Sequence, residues 1–271
     1  KDTNNFLKKY LKSQKKTDLI FPMKYGLLPG GKKIRSKILV DVGNTSVKWQ
    51  LRSDGVVVDG ASGDLGALGS WLASLEQGGD YTAAVSCVRG EDCMSELRSM
   101  FRSVRLIQPH FATSTSEFHG VTNAYASPEM LGVDRWLAIL AVIARGEDSA
   151  IIIDAGTACT IDVLENGHHI GGYIFPGVAL ARDALIANTD RIRFSEQVAI
   201  STAPGASTAE CVQSGVWLTL YAATREIIAR APSARVFITG GSAGELAALG
   251  VEGDCVQGLV FDGLDFWLNG S

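Results

Sequence analysis

The chain has 271 residues, 46% of them hydrophobic and 20% charged, with a formal net charge of −4. That is enough for one large domain or two small ones with a well-buried core, and so mild an acidity gives no general case for nucleic acid as a partner. No apolar run approaches the roughly 20 residues of a membrane-spanning helix, the opening stretch is polar and basic rather than a secretory leader, and the five cysteines form no CxxC or Cys/His spacing, so reduced thiols in a cytoplasmic protein are expected.

Residues 1–36 hold nine Lys and one Arg against two Asp, which leaves 15 basic and 27 acidic residues for the rest. Only Lys37 and Lys48 follow among the lysines. So abrupt a change reads as two sequence origins joined at Ser36–Lys37, with residues 1–37 a basic extension or fusion-like segment. Leu7, Tyr10 and Leu11 have the spacing of a short amphipathic helix, and Pro22, Pro29, Gly30 and Gly31 break regular structure before the next strand. Gly30-Gly31-Lys32-Lys33-Ile34-Arg35 resembles the diphosphate-gripping Gly-Gly-Lys-Arg-x-Arg stretch of polyprenyl diphosphate synthases; clustered cations beside glycines suit phosphate oxygens. The Asp-rich DDxxD motif that prenyl transfer also needs occurs nowhere in the chain, so no such activity is expected.

After the seam, Ile38-Leu39-Val40-Asp41-Val42-Gly43-Asn44-Thr45-Ser46-Val47-Lys48 reads as a buried strand, a polar turn and an outgoing strand. Ile151-Ile152-Ile153-Asp154-Ala155-Gly156-Thr157-Ala158 repeats that plan, its Asp lying 113 residues beyond Asp41 (154 − 41). A repeat of this size means two like halves, 38–150 and 151–271. Each half continues with a third strand (Val56–Val58, His169–Tyr173), a helix (Leu65–Leu75, Val178–Ala187) and a later buried strand (Ala83–Val88, Arg235–Thr239). Periodicity carries the assignment as far as α/β in two halves.

In the first turn, Gly43 lets backbone N–H groups approach an anion. Asn44 and Thr45 add short polar donors, Lys48 follows on the next strand, and Asp41 could hold a hydrated Mg2+. An ordinary Asp-Gly hairpin explains one copy equally well; a nucleotide site between two lobes needs one from each half. Asp154, Gly156 and Thr157 supply the second, and Thr239-Gly240-Gly241-Ser242 is a further glycine-rich turn. Between the halves, Asn123 to Arg135 leads into an apolar helix, so Asp134 and Arg135 begin it, where the positive dipole end favours anions. Asp134 reads either as a first-turn capping residue or as a carboxylate base for a substrate hydroxyl, with Arg135 on a substrate carboxylate.

Four stretches in order, Asp41 to Thr45, Asn123 to Arg135, Asp154 to Thr160 and Gly171 to Gly177, resemble type III pantothenate kinases. The resemblance implies the duplicated actin-like/acetate and sugar kinase/Hsp70 (ribonuclease H-like) α/β fold, with the active site between two similar halves. It implies phosphorylation of pantothenate with ATP, the first step of coenzyme A biosynthesis, by a cytoplasmic homodimer using Mg2+ and a monovalent cation, K+ or NH4+. On it, Asp41, Gly43, Asn44, Thr45, Ser46 and Lys48 contact ATP together with Thr157. Tyr125, Gly132, Val133, Asp134, Arg135 and Thr208 bind pantothenate, Asp134 is the catalytic base, and Asp154 ligates the monovalent cation. Cys159 stands where a β-branched aliphatic residue is expected, a swap that preserves function. The competing readings are a kinase for another small hydroxylated or carboxylate metabolite and a non-catalytic regulator on the same fold.

Overall fold

A computed structural model describes residues 36–76, 79–103, 108–194 and 198–270. The helix and the Gly-Gly-Lys stretch expected before residue 36 lie outside the described residues.

By contact the chain forms two compact units. The first runs up to Thr113 and takes in the residues from Leu264 onward. Its strands are β1 (Ser36–Val42), β2 (Val47–Ser53), β3 (Val56–Gly63), β4 (Tyr81–Cys87) and β5 (His110–Phe111), ordered β3-β2-β1-β4-β5. Ile38, Leu39, Val40 and Val42 are all buried, as befits a central strand covered on both faces. β1 therefore pairs antiparallel with β2 on one side and parallel with β4 on the other. Asp54 and Gly55, both at positive φ, close the β2–β3 hairpin. Helix α1 (Leu65–Ser74) starts where the Asp64 carboxylate accepts the Ala67 N–H at 2.8 Å. It buries Leu68 and Leu72, four residues apart, while α2 (Glu91–Ser103) buries Leu97 and Phe101 at the same spacing. All four join Trp49 and Ile38, Val40 and Val42 of β1 in one core.

Among its described residues the second unit, Ser114–Gly263, holds seven strands: β6 (Glu117–Phe118), β7 (Val121–Thr122), β8 (Ala150–Ala155), β9 (Ala158–Glu165), β10 (His168–Pro176), β11 (Arg235–Thr239) and β12 (Asp254–Cys255). Their order is β12-β11-β8-β9-β10-β7-β6. Read from β10 to β12 this is the order of the first sheet, with the same antiparallel pairs (β8–β9, β9–β10) and parallel pairs (β8–β11, β11–β12). The sequence repeat restarts at β8, whereas the unit already begins at Ser114, with β6 and β7 added at the β10 edge. The helices are α3 (Val133–Ala144), α4 (Val178–Ala187), α5 (Thr208–Arg230), α6 (Ala243–Ala248) and α7 (Leu259–Gly270), whose residues from Leu264 count with the first unit. α3 buries every residue from Arg135 to Val142, an apolar surface all round. Gly263 makes this possible on one side, since a Cβ there would stand 1.8 Å from the Leu137 carbonyl oxygen.

Candidate active site

In the first unit the β1–β2 hairpin turns through Gly43 to Ser46, closed by the Gly43 N–H donating to the Ser46 carbonyl at 3.1 Å. Asp41 and Lys48 face each other across the two strands at this end, and Asn44 and Thr45 are exposed. Arg89, just beyond β4, braces the loop: its Nε donates to the Gly43 carbonyl at 2.9 Å and its Nη2 to the Asn44 carbonyl at 3.2 Å. Sequence reasoning missed Arg89, because a lone Arg after a strand carries no pattern.

The corresponding turn in the second unit is shorter, Gly156 and Thr157 alone separating β8 from β9. Backbone packs against it from two directions. The Gly177 N–H donates to the Thr157 carbonyl at 3.0 Å, and a Cβ on Gly177 would lie 2.3 Å from the Gly156 oxygen and 2.5 Å from that of Thr157. Gly240 adopts φ +90°, and a Cβ there would be 2.5 Å from Asp154 Oδ1. The glycine-rich stretches ending at Gly177 and starting at Thr239 thus converge on the second hairpin. Cys159 is wholly buried beside it, and burial, then the nearby Asp154 charge, pushes its thiol pKa up to about 12.

The start of α3 brings the expected acceptor-binding residues together. Asn123 Oδ1 accepts the Tyr125 N–H at 3.0 Å, and its Nδ2 donates to the carbonyls of Thr115 and Pro128, both at 3.2 Å, so this side chain shapes the loop that presents Tyr125. Gly132 precedes the helix, and a Cβ there would meet Asp134 Oδ1 at 2.7 Å. That oxygen accepts the Arg135 N–H at 2.8 Å. Burial raises the Asp134 pKa, outweighing the hydrogen bond and charge of Arg135. Val133 is buried beside it.

Arg135 is 7% exposed and already held. Nε and Nη2 donate to the two Asp162 oxygens at 2.9 and 2.6 Å, and Nη1 donates to the Tyr125 hydroxyl at 3.1 Å. Burial alone would lower the guanidinium pKa, but Asp162 holds it raised. Asp162 also lies 2.9 Å from His169 Nε2. Neither Asp162 nor His169 stood out in the sequence, where an Asp in an alternating strand reads as a solvated position.

Thr208 opens α5 behind its N-cap: Ser207 Oγ accepts the Glu210 N–H at 3.2 Å, and the Glu210 carboxylate accepts the N–H of Ala206, one residue before the cap, at 2.7 Å. With Phe175, Leu185 and Val212 it lines a cavity of about 840 Å³ within the second unit.

A model of the type III pantothenate kinase family matches residues 37–230, beginning where the composition changes. The type III pantothenate kinase of Marinobacter nauticus is 35% identical over 238 residues, 84% of this chain and 96% of the relative. That of Hahella chejuensis is 33% identical over 227 residues, 83% and 94% of the two chains. Among solved structures, a conserved Baf family protein from Campylobacter jejuni aligns with TM-score 0.58 at 20% identity, over 86% of this chain and 97% of that one. Ethanolamine utilization protein EutJ from Carboxydothermus hydrogenoformans aligns with TM-score 0.52 at 15% identity, over 93% and 95%. These structural likenesses speak for the fold alone, the duplicated actin-like/sugar kinase/Hsp70 architecture.

Proposed function

The chain belongs to the type III pantothenate kinase family, and on that footing we propose which of its residues carry the reaction. The enzyme transfers the terminal phosphoryl group of ATP to pantothenate, the first step towards coenzyme A. The substrate's primary hydroxyl attacks the γ-phosphorus, ADP leaves, and the hydroxyl proton needs an acceptor. Asp134 is that acceptor. Burial raises its pKa, which makes it a stronger base than an ordinary carboxylate. This buried carboxylate, fixed on the first turn of α3 next to Arg135, is the observation on which the reading rests.

Gly43, Asn44, Thr45, Ser46 and Lys48 of the first hairpin would contact the ATP phosphates, Thr157 of the second hairpin would be a further ATP contact, and Asp41 would hold a hydrated Mg2+. Mg2+ usually keeps several waters and is bound through one or two carboxylates plus substrate phosphates. For the monovalent cation the fit is at Asp154. Gly156 and Gly240 bring backbone close to its carboxylate, where a Cβ would stand 3.3 and 2.5 Å from Oδ1. Carboxylate and backbone oxygens there would hold K+ or NH4+, offsetting phosphate charge. Replacing K+ by Na+ is therefore expected to cut turnover severalfold; equal rates in the two salts would remove Asp154 from this role.

Pantothenate lies against Tyr125, Gly132 and Val133, its carboxylate on Arg135, with Thr208 a further contact. A homodimer is supported by apolar surface left open in the second unit: α4 buries none of its residues, and Ile174 on β10 and Leu218 on α5 are 65% and 47% exposed. We place the enzyme in the cytoplasm; its five cysteines are all free thiols.

The test is Asp134→Asn, which keeps the shape and removes the acceptor charge. A kcat loss on the order of 10²–10⁴ is expected, with ATP binding little changed, in a coupled ADP-release assay that also offers a sugar and acetate. The folded chain holds the Asp134 proton more tightly than the unfolded chain, so ionising it costs stability as pH rises through the folded pKa. Asp134→Asn should therefore melt no lower than the parent at neutral pH, and kcat/KM of the parent should fall on acidification at a higher pH than an unperturbed Asp would give. Near-normal turnover by the variant would end the assignment.

A further inference from the structure

The proposed chemistry makes no use of one buried ionic group, Asp162 on β9, which is 2% exposed and has the equally buried His169 of β10 beside it. We propose that Asp162, held by His169, is a positioning residue for acceptor recognition. It fixes the Nε/Nη2 edge of the Arg135 guanidinium so that the adjacent Nη1/Nη2 edge meets the substrate carboxylate. The proposal rests on the reading that Arg135 binds that carboxylate.

The donor count supports it. A guanidinium carries five N–H donors in a planar fork. Asp162 takes two and the Tyr125 hydroxyl one, which leaves two, one on each terminal nitrogen. That pair matches the oxygens of a second carboxylate in the bidentate geometry that arginine favours. Without Asp162 the side chain would be a buried, unpaired cation, free to take other rotamers and costly to keep in place before substrate arrives.

The neighbours are arranged to hold Asp162 still. A carboxylate only accepts, so His169 Nε2 carries the proton and donates across the 2.9 Å contact. His169 Nδ1 is buried with no hydrogen-bond partner among the described residues, so Asp162 is the polar anchor of the ring. Tyr125 stacks on that ring at 6.3 Å between centroids and lies 6.0 Å from the Arg135 guanidinium carbon. Gly172, the β10 partner of Asp162, completes the arrangement. A Cβ there would stand 2.5 Å from Asp162 Oδ1 and 2.6 Å from Arg135 Nη2. The second glycine of the Gly171-Gly172 pair is thus the space in which the ion pair lies.

The experiment compares pantothenate with pantothenol, in which an alcohol replaces the carboxylate and the phosphorylated hydroxyl is kept. The parent enzyme should prefer pantothenate. Asp162→Asn should lower kcat/KM for pantothenate on the order of 10²-fold, as a misplaced binding group does, chiefly through KM, while KM for ATP and kcat/KM for pantothenol change little. Gly172→Ala, which keeps both charges and displaces them, should act in the same direction and decides the matter if Asp162→Asn does not fold. An equal fall for both acceptors would make Asp162 merely structural and overturn the proposal. Arg135→Lys separates the two levels of inference. If it erases the preference while Asp162→Asn and Gly172→Ala keep it, the positioning role is wrong and the reading of Arg135 stands. If Arg135→Lys itself keeps the preference, that reading fails and the positioning role with it.

Discussion

The two hairpins occupy the same place in the two sheets and are stabilised by different physics. The first has a four-residue loop whose carbonyls are braced by a guanidinium, that of Arg89. The second has a two-residue loop with backbone pressed against it at Gly177 and Gly240. A side-chain brace can lengthen or tilt; a backbone contact with no room for a methyl group cannot. The duplicated architecture therefore gives one adaptable loop and one fixed loop. That suits a division in which the first follows a nucleotide's phosphates and the second holds an ion at set distances.

The harshest way to break this contrast is Gly240→Ala. The new Cβ would sit 2.5 Å from Asp154 Oδ1 and from the Ala155 carbonyl carbon, on a residue at φ +90°. Overpacking and left-handed strain together should cost roughly 2–5 kcal/mol, read as a lower denaturation midpoint. A variant as stable as the parent would mean the second loop yields as easily as the first. Arg89→Ala should do less. The loop keeps its own Gly43–Ser46 hydrogen bond, so melting should barely move, while KM for ATP rises about tenfold, equivalent to roughly 1.4 kcal/mol. A large loss of stability with unchanged KM would make Arg89 part of the fold's frame rather than a brace for a functional loop. The mildest change is Cys159→Val. The position is buried at the base of the fixed hairpin and nearly isosteric with Val, so a change below about 1.5 kcal/mol and near-parental turnover are expected. A strong loss of activity would show that the sulfur has a use beyond filling space.

The contrast also marks what the sequence disclosed. The apolar runs of β1 and β8 and the Asp-x-Gly turns after them were legible because buried strands and tight turns are local properties. Gly177, Gly240 and Gly172 could be read only as turn or strand glycines; their purpose lies in what approaches them, and those partners are distant in the chain. Asp162 and His169 were hidden for a related reason. β9 has Ile161 and Asp162 both buried, so the alternation that marks a half-exposed strand fails where the ion pair enters the sheet. The unit boundary at Ser114 was equally illegible, since β6 and β7 are two residues each and join a sheet whose other strands come much later.

Helix α7 has a consequence for how the protein is made. Asp265 on α7 accepts from Arg52 at 3.4 Å and pairs with Lys37, and Asn269 accepts from Lys37 at 2.7 Å. These partners lie 213 to 232 positions apart. β1 and β2 leave the ribosome ahead of the second unit, at about 5–20 residues per second, yet their contacts with α7 arrive only after that unit has been translated. During that interval the sheet of the first unit lacks its α7 partners. Contacts of such long range slow folding, so the nascent first unit is the stage at which a chaperone or a protease would find this protein most open.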